Sequence, residues 1–110
     1  DFDVARYGWI GDYSDPQNFL FLLESDNKGF NYGKWKNEEY DDLMKNKAAK
    51  ETDLKKRADY LLKAEQIFMR EEPWIPVMHY GTKNLISPKL VGFHQNIAGV
   101  YPSRFLQIKQ

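Results

Sequence analysis

The feature that most constrains this fold is a helical periodicity of apolar residues over about 53–71. One predicted helix face repeats in steps of three and four residues and consists of Leu54, Ala58, Leu61, Glu65 and Phe68. Thr52 is a suitable N-cap for this helix, and Pro73 and Pro76 cannot continue it. A helix gains most of its stability by packing its apolar face, so we expect the rest of the chain to supply a core.

Shorter patterns flank this helix. Phe2, Val4 and Arg6 alternate with their neighbours and predict an opening strand, and two apolar runs over 75–80 and 82–86 predict later strands. Asp15, followed by proline, and Asn37 are predicted to cap two further helices. Their predicted apolar faces are Phe19, Leu20, Leu22 and Leu23 in one helix and Tyr40, Leu43, Met44 and Ala48 in the other. The order of strand, three helices and strands indicates a mixed α/β fold.

Composition excludes several classes of protein. The 110 residues allow one domain at most, or a piece of a larger one. No cysteine is present, which excludes disulfide scaffolds, zinc–thiolate sites and cysteine nucleophiles. The formal net charge of zero argues against a nucleic-acid partner. We expect no cofactor and no metal, and no apolar run is long enough to span a membrane.

The segment from Trp9 to Pro16 holds the strongest candidate site. Here Asp12 lies between two aromatic residues, after the predicted strand and before the first helix, where a carboxylate can pair with an ammonium group. Asp12 could equally be a turn former, and Asp15 is better explained as a helix cap. A second reading makes Asp12 and Asp15 the acid and base of a small hydrolase, although their spacing does not favour one shared cleft.

Other polar residues have structural explanations. Arg6 shares the parity of Val4, so it either anchors a ligand carboxylate or forms an internal salt bridge. Glu65 lies within the apolar stripe and is predicted to be a buried structural acceptor. The two histidines, His79 and His94, lack metal-ligand spacing and are predicted to be non-catalytic. The basic run over 55–57 is predicted to be a solvated helix face.

Several pieces in order resemble one family. They are residues 5–16 (ARYGWIGDYSDP), Phe19-Leu20, Asn31-Tyr32, residues 37–43 (NEEYDDL), residues 57–65 (RADYLLKAE) and residues 75–78 (IPVM). Together they resemble the C-terminal part of the oligopeptide- and dipeptide-binding proteins of ABC importers, the bacterial extracellular solute-binding proteins of family 5. This resemblance implies a two-lobed periplasmic-binding-protein fold, of which residues 1–110 would form a partial lobe.

The resemblance also implies roles for single residues. Asp12 matches the acid that pairs with the α-ammonium group of a peptide. The segment of Gly8, Trp9 and Ile10 matches the backbone that pairs with the extended peptide, and Trp9 also resembles a pocket wall. Arg6 matches an arginine that can meet the carboxylate of a short peptide. About residues 1–72 would then carry the ligand contacts, and about 73–110 would form strands that return toward the other lobe.

The implied protein is a binding protein and not an enzyme. It would lie outside the cytoplasm, in the periplasm or as a cell-surface lipoprotein, and would deliver peptides to a membrane ABC permease. Members of the family that share this pattern differ in ligand, so the identity of the ligand stays open. The alternatives are a dipeptide, haem, a nickel chelate, an oligosaccharide and a murein peptide. A severed piece of such a lobe is expected to expose apolar surface and to self-associate.

Overall fold

The computed structural model describes residues 3–96 and 98–109, and Phe2 of the predicted opening strand lies outside them. The chain divides into two compact units, one ending at Pro76 and the other beginning at Val77. Within the described ranges, no helix is long and apolar enough to cross a membrane.

The first unit is helical. Helix α1 is followed directly by a 3-10 turn, helix α2 by a π-helical stretch, and helix α3 is the longest element. Their bounds are Gln17–Leu20 for α1, Phe21–Leu23 for the 3-10 turn, Glu38–Asp41 for α2, Asp42–Ala48 for the π-helical stretch and Leu54–Glu71 for α3. The long predicted helix is therefore present with nearly the predicted bounds.

The helix ends follow from side-chain caps. The Asn37 side chain accepts a hydrogen bond from the backbone N–H of Tyr40 at 2.9 Å, as predicted. The cap of α3 is Asp53 and not Thr52, because the Asp53 carboxylate accepts from two backbone N–H groups of the first turn. At the other end of α3, the backbone of Glu72 adopts the left-handed conformation, with φ 45°, and Pro73 follows.

The core of the first unit joins all three helical regions. Its buried members are Leu20, Leu23, Tyr40, Leu43, Met44, Ala48, Leu61, Ala64 and Ile67. All four residues predicted for the second helix face are buried, which confirms that prediction. In the first helix, Leu20, Leu22 and Leu23 are buried but Phe19 is half exposed, so Phe19 was assigned to the wrong face.

The predicted stripe on α3 is also rotated from the buried one. Leu61 is buried as predicted, and Phe68 is partly buried against the core. The other buried positions are Ala64 and Ile67, whereas Ala58 is exposed. Leu54 is 80% exposed and Glu65 is exposed. The prediction of a buried Glu65 is therefore wrong, because α3 docks through positions spaced by three residues and leaves position 65 in solvent.

The second unit contains a short antiparallel pair. Strand β1, Leu90–Val91, pairs with β2, Gln107–Ile108, with Leu90 opposite Ile108. A 3-10 turn, Ser103–Phe105, precedes β2. The mixed helix and strand composition of the prediction is confirmed.

The three predicted strands are wrong for the described residues. Residues 3–10, 75–80 and 82–86 form no strand there, although each run has the composition of one. A strand exists only when a neighbour completes its ladder of hydrogen bonds. The described part of the chain pairs only β1 with β2, so these runs have no ladder.

Candidate functional site

The segment over residues 6–12 combines packed aromatic rings with exposed positions. The odd-numbered positions pack: the Tyr7 ring lies 5.5 Å from that of Tyr32, and the Trp9 ring lies 5.9 Å from that of Phe21 and 5.1 Å from that of Phe30. Arg6, Gly8, Ile10 and Asp12 are exposed and Tyr7 is 37% exposed, whereas Trp9 and Gly11 are partly buried.

Asn18 ties this segment to α1. Only 1% of Asn18 is exposed. Its side-chain oxygen accepts hydrogen bonds from the indole N–H of Trp9 at 3.0 Å and from the backbone N–H of Asp12 at 3.1 Å. Both ends of the turn over residues 9–12 are therefore fixed to one buried atom.

The Asp15 carboxylate is bound by other residues of the fold. Its carboxylate accepts a hydrogen bond from the backbone N–H of Gln17 at 2.8 Å, as a helix cap does. It also forms a two-pronged ion pair with Arg57, with nitrogen–oxygen distances of 2.7 and 3.1 Å. The Arg57 guanidinium lowers the pKa of Asp15, and the Gln17 N–H adds to that effect against the opposing effect of burial.

The Asp12 carboxylate is in a different position. It is exposed, and within the described ranges it takes part in no hydrogen bond or ion pair. Of the two acids in this motif, one therefore stabilises the fold and the other presents its charge outward. An anionic group held on a fixed backbone can bind a cation that approaches from outside.

The structure leaves four of the five predicted ligand residues exposed. They are Arg6, Gly8, Ile10 and Asp12, and Ile10 is 77% exposed. Trp9 is half-buried, and its ring packs on two phenylalanines. Its assignment as a pocket wall stays a prediction, and the contacts that the structure shows for it are structural.

Two residues that matter here were missed or misread. Asn18 was not singled out, although it lies four positions before the buried Leu22 and so on the same helix face. Arg57 was placed on a solvated face, but it is half-buried and paired with Asp15, so that prediction is wrong for this residue. Lys55 and Lys56 are exposed as predicted.

Other features of the described residues lie elsewhere. A cavity of about 240 Å³ in the second unit is lined by residues that include Phe93, Asn96, Tyr101 and Phe105, and no predicted ligand residue lines it. His79 and His94 are exposed. A search of residues 3–96 and 98–109 finds no cluster of three or more side chains able to hold a metal ion.

Comparison with known proteins shows which proteins this chain is similar to in sequence. The chain is 45% identical over 80 residues to the oligopeptide-binding protein OppA of Bacillus subtilis, covering 73% of this chain and 14% of that protein. It is 38% identical over 96 residues to the periplasmic murein peptide-binding protein MppA of Escherichia coli, covering 87% of this chain and 18% of that protein. It is 33% identical over 98 residues to the dipeptide-binding protein DppE of Bacillus subtilis, covering 89% of this chain and 18% of that protein.

These relatives are much longer than the chain, which spans less than a fifth of their length. No protein-family model matches the chain, and no solved structure matches it. The relationship therefore rests on sequence identity that extends over most of the 110 residues. It confirms the resemblance drawn from the motifs: this chain belongs to the bacterial extracellular solute-binding proteins of family 5, which include the oligopeptide- and dipeptide-binding proteins.

Proposed function

We propose that this chain is the peptide-contacting segment of an extracytoplasmic binding protein that serves an ABC importer. The observation that carries the proposal is the exposed Asp12 carboxylate on a backbone that Asn18 holds in place. Relatives named for binding oligopeptides, dipeptides and a murein peptide support it. The proposed role is binding, in the periplasm or at the cell surface, and not catalysis.

The proposed ligand contacts divide among residues of the segment over 6–12. The Asp12 carboxylate pairs with the α-ammonium group of the peptide, and the backbone at Gly8, Trp9 and Ile10 pairs with the peptide backbone. Arg6 meets the carboxylate of a short peptide through its planar guanidinium. A glycine at position 8 permits close approach of a second backbone, because it carries no side chain.

The larger architecture belongs to the same proposal. The segment works inside a two-lobed protein, in which about residues 1–72 contact ligand and about 73–110 return toward the other lobe. Closure of the lobes removes water from the Asp12–ammonium pair, and the closed form is what the permease recognises. The boundary between the two compact units, after Pro76, lies close to this division.

A different ligand is the second candidate. The relatives include the heme-binding protein A of Haemophilus influenzae, at 39% identity, and the probable deoxycholate-binding periplasmic protein YgiS of Escherichia coli, at 38%. Mass spectrometry of small molecules that co-purify with the protein would separate a peptide from these. A hydrolase using Asp12 and Asp15 is disfavoured, because Asp15 is already bound by Gln17 and Arg57.

Self-association of the isolated chain is also part of the proposal. Leu54, Leu62 and Met69 are at least half exposed and recur on one face of α3. Burial of this face between two copies would remove it from water. Sedimentation should show species larger than the 13.0 kDa monomer at micromolar concentration, and a clean monomer would count against this part.

The central test is Asp12→Asn in the protein that carries this segment. We expect affinity for a free-amine tripeptide to fall roughly a hundredfold or more, because loss of one partner of a desolvated ion pair costs about 3–5 kcal/mol. Affinity for the N-acetylated tripeptide should change little. Asp59→Asn, at an exposed position of α3, is the control. Calorimetry that gives equal losses for both peptides would remove Asp12 from the site.

A further inference from the structure

We propose that Asn18 is the positioning residue of this site and sets how strongly the protein prefers a peptide with a free amino terminus. The inference rests on the proposed function of Asp12. Asn18 does not touch the ligand in this proposal. It acts by fixing the backbone from which the Asp12 carboxylate projects.

The hydrogen-bond pattern of Asn18 supports this role. Its side-chain oxygen accepts from two donors of the segment over 6–12, the indole N–H of Trp9 and the backbone N–H of Asp12. A carbonyl oxygen has two lone pairs, so these two bonds use its accepting capacity. One buried atom therefore holds both ends of the turn that presents Asp12.

Asn18 is itself held in place by neighbouring residues. Its backbone N–H donates to the carbonyl of Asp15 at 3.0 Å, and the Asp15 side chain is held by Arg57 of α3. The turn is thus connected to the longest helix through α1. A site built on packed elements keeps its geometry better than one on an unsupported loop.

The backbone at Gly11 approaches this support closely. A Cβ atom at position 11 would lie 3.4 Å from the Asn18 side-chain oxygen and 2.9 Å from the ring of Phe19. The absence of a side chain at Gly11 lets the turn lie against α1, which is what brings the Asp12 N–H within reach of Asn18.

Asn31 offers a matched control within the same unit. It is also a buried asparagine, 5% exposed, and both the oxygen and the nitrogen of its side-chain amide form hydrogen bonds with the backbone. Its side-chain oxygen accepts from the N–H of Trp35 at 3.1 Å, and its side-chain nitrogen donates to the carbonyl of Trp35 at 2.7 Å. The same nitrogen also lies 3.3 Å from the carbonyl oxygen of Glu24 and 3.5 Å from that of Leu23. Replacing Asn31 should cost stability as replacing Asn18 does, but it removes neither of the hydrogen bonds that hold Trp9 and Asp12.

The test compares three variants of the protein that carries this segment. Asn18→Leu removes the acceptor at similar volume, Asn18→Asp keeps an acceptor there, and Asn31→Leu is the control. Calorimetry gives the ratio of affinities for a free-amine tripeptide and its N-acetylated form. We expect Asn18→Leu to lower this ratio by about tenfold, which corresponds to the loss of about one hydrogen bond. Asn31→Leu should leave the ratio within about twofold, and Asn18→Asp should restore most of it.

The outcomes separate this inference from the proposed function. If the unaltered protein prefers the free amine and Asn18→Leu keeps the full preference, Asn18 is only structural and the inference is overturned. If the unaltered protein shows no preference, the proposed function of Asp12 fails and the positioning role fails with it.

A second measurement decides the case in which Asn18→Leu does not fold. Hydrogen exchange in the unaltered chain should protect the Trp9 indole N–H and the Asp12 amide by about tenfold or more over unstructured peptides. Exchange of both at the unstructured rate would show that Asn18 does not hold the turn, and it would overturn the inference whatever the peptide preference.

Discussion

The two units of the chain differ in how their elements become stable. All the fully buried apolar residues found among the described positions lie in the first unit, between Leu20 and Ile67. In the second unit, Val77, Met78, Leu85 and Ile108 are each more than half exposed. Helices satisfy their backbone hydrogen bonds locally, whereas strands need a partner from elsewhere in the sequence. The helical half of such a chain can therefore build a core by itself, and its strand-forming half cannot.

The largest expected effect follows from a substitution in the core of the first unit. Tyr40 is fully buried, its ring lies 5.0 Å from that of Trp35, and its hydroxyl donates to the carbonyl of Leu20 at 2.6 Å. Tyr40→Ala should cost about 3–5 kcal/mol of unfolding free energy. Denaturant unfolding followed by far-ultraviolet circular dichroism measures this cost.

Tyr40→Phe provides the matched variant for this prediction. It keeps the ring and removes only the hydroxyl, so it should cost about 1 kcal/mol. The β1–β2 pair should persist in both variants if the units are independent. Loss of the Leu90–Ile108 pairing together with the helices would contradict the comparison.

The next effect is confined to the second unit. Gly92 has φ 86°, and a Cβ atom there would lie 1.9 Å from the backbone oxygen of Phe105. Gly92→Ala should abolish the β1–β2 pairing, because the backbone of residue 105 has to move away. Nuclear Overhauser contacts between Leu90 and Ile108 report the pairing, while the α3 signals should not change.

Gly99→Ala is the control for Gly92→Ala. Gly99 also has a positive φ, of 64°, but a Cβ atom there meets nothing within 4 Å. Only backbone strain of about 1–2 kcal/mol is expected, and the contacts between the strands should weaken less. Equal loss in both variants would show that strain and not the Phe105 contact determines the pairing.

The smallest effect concerns the ion pair of Asp15, which precedes α1, with Arg57 of α3. Arg57→Met should cost about 1 kcal/mol at neutral pH, since the pair is two-pronged but about a quarter exposed. The pKa of Asp15 is lowered in the folded state, so the pair stabilises the fold above the ordinary pKa of 3.8. The stabilisation is lost as pH falls through the folded-state pKa.

The stability difference between Arg57→Met and the unaltered chain should therefore shrink in acid. Lys56→Met, at the neighbouring exposed position, is expected to show no such pH dependence. Chemical unfolding at several pH values below and above 3.8 provides the comparison. A difference that stays constant through this range would exclude Asp15 as the titrating partner.

Sequence reasoning succeeded where the governing interactions are local. The cap at Asn37, the face of Tyr40, Leu43, Met44 and Ala48, and the bounds of α3 depend on neighbours within a few residues. The rotation of α3 could not be predicted, because Ala58 and Ala64 are equally apolar and only the docking partner decides which is buried. The strands failed for the corresponding reason, since composition does not supply the second strand.

At the candidate site, sequence reasoning found the acids but not their supports. It explained Asp15 as a cap, and the structure adds Arg57, which lies 42 residues away. No local pattern predicts the role of Asn18, because asparagine is ordinarily a surface residue. Its burial depends on where the chain before α1 is folded back, which no local pattern encodes.

The Asp15–Arg57 pair has a consequence for the order of folding. A contact between residues 42 positions apart closes a long loop, at an entropic cost of roughly 3 kcal/mol that one ion pair of this kind cannot repay. We therefore expect the pair to form only after α3 has docked on the core. Because Asp15 also accepts a hydrogen bond from the backbone N–H of Asn18, the turn that carries Asp12 is then expected to be among the last parts of the first unit to become ordered.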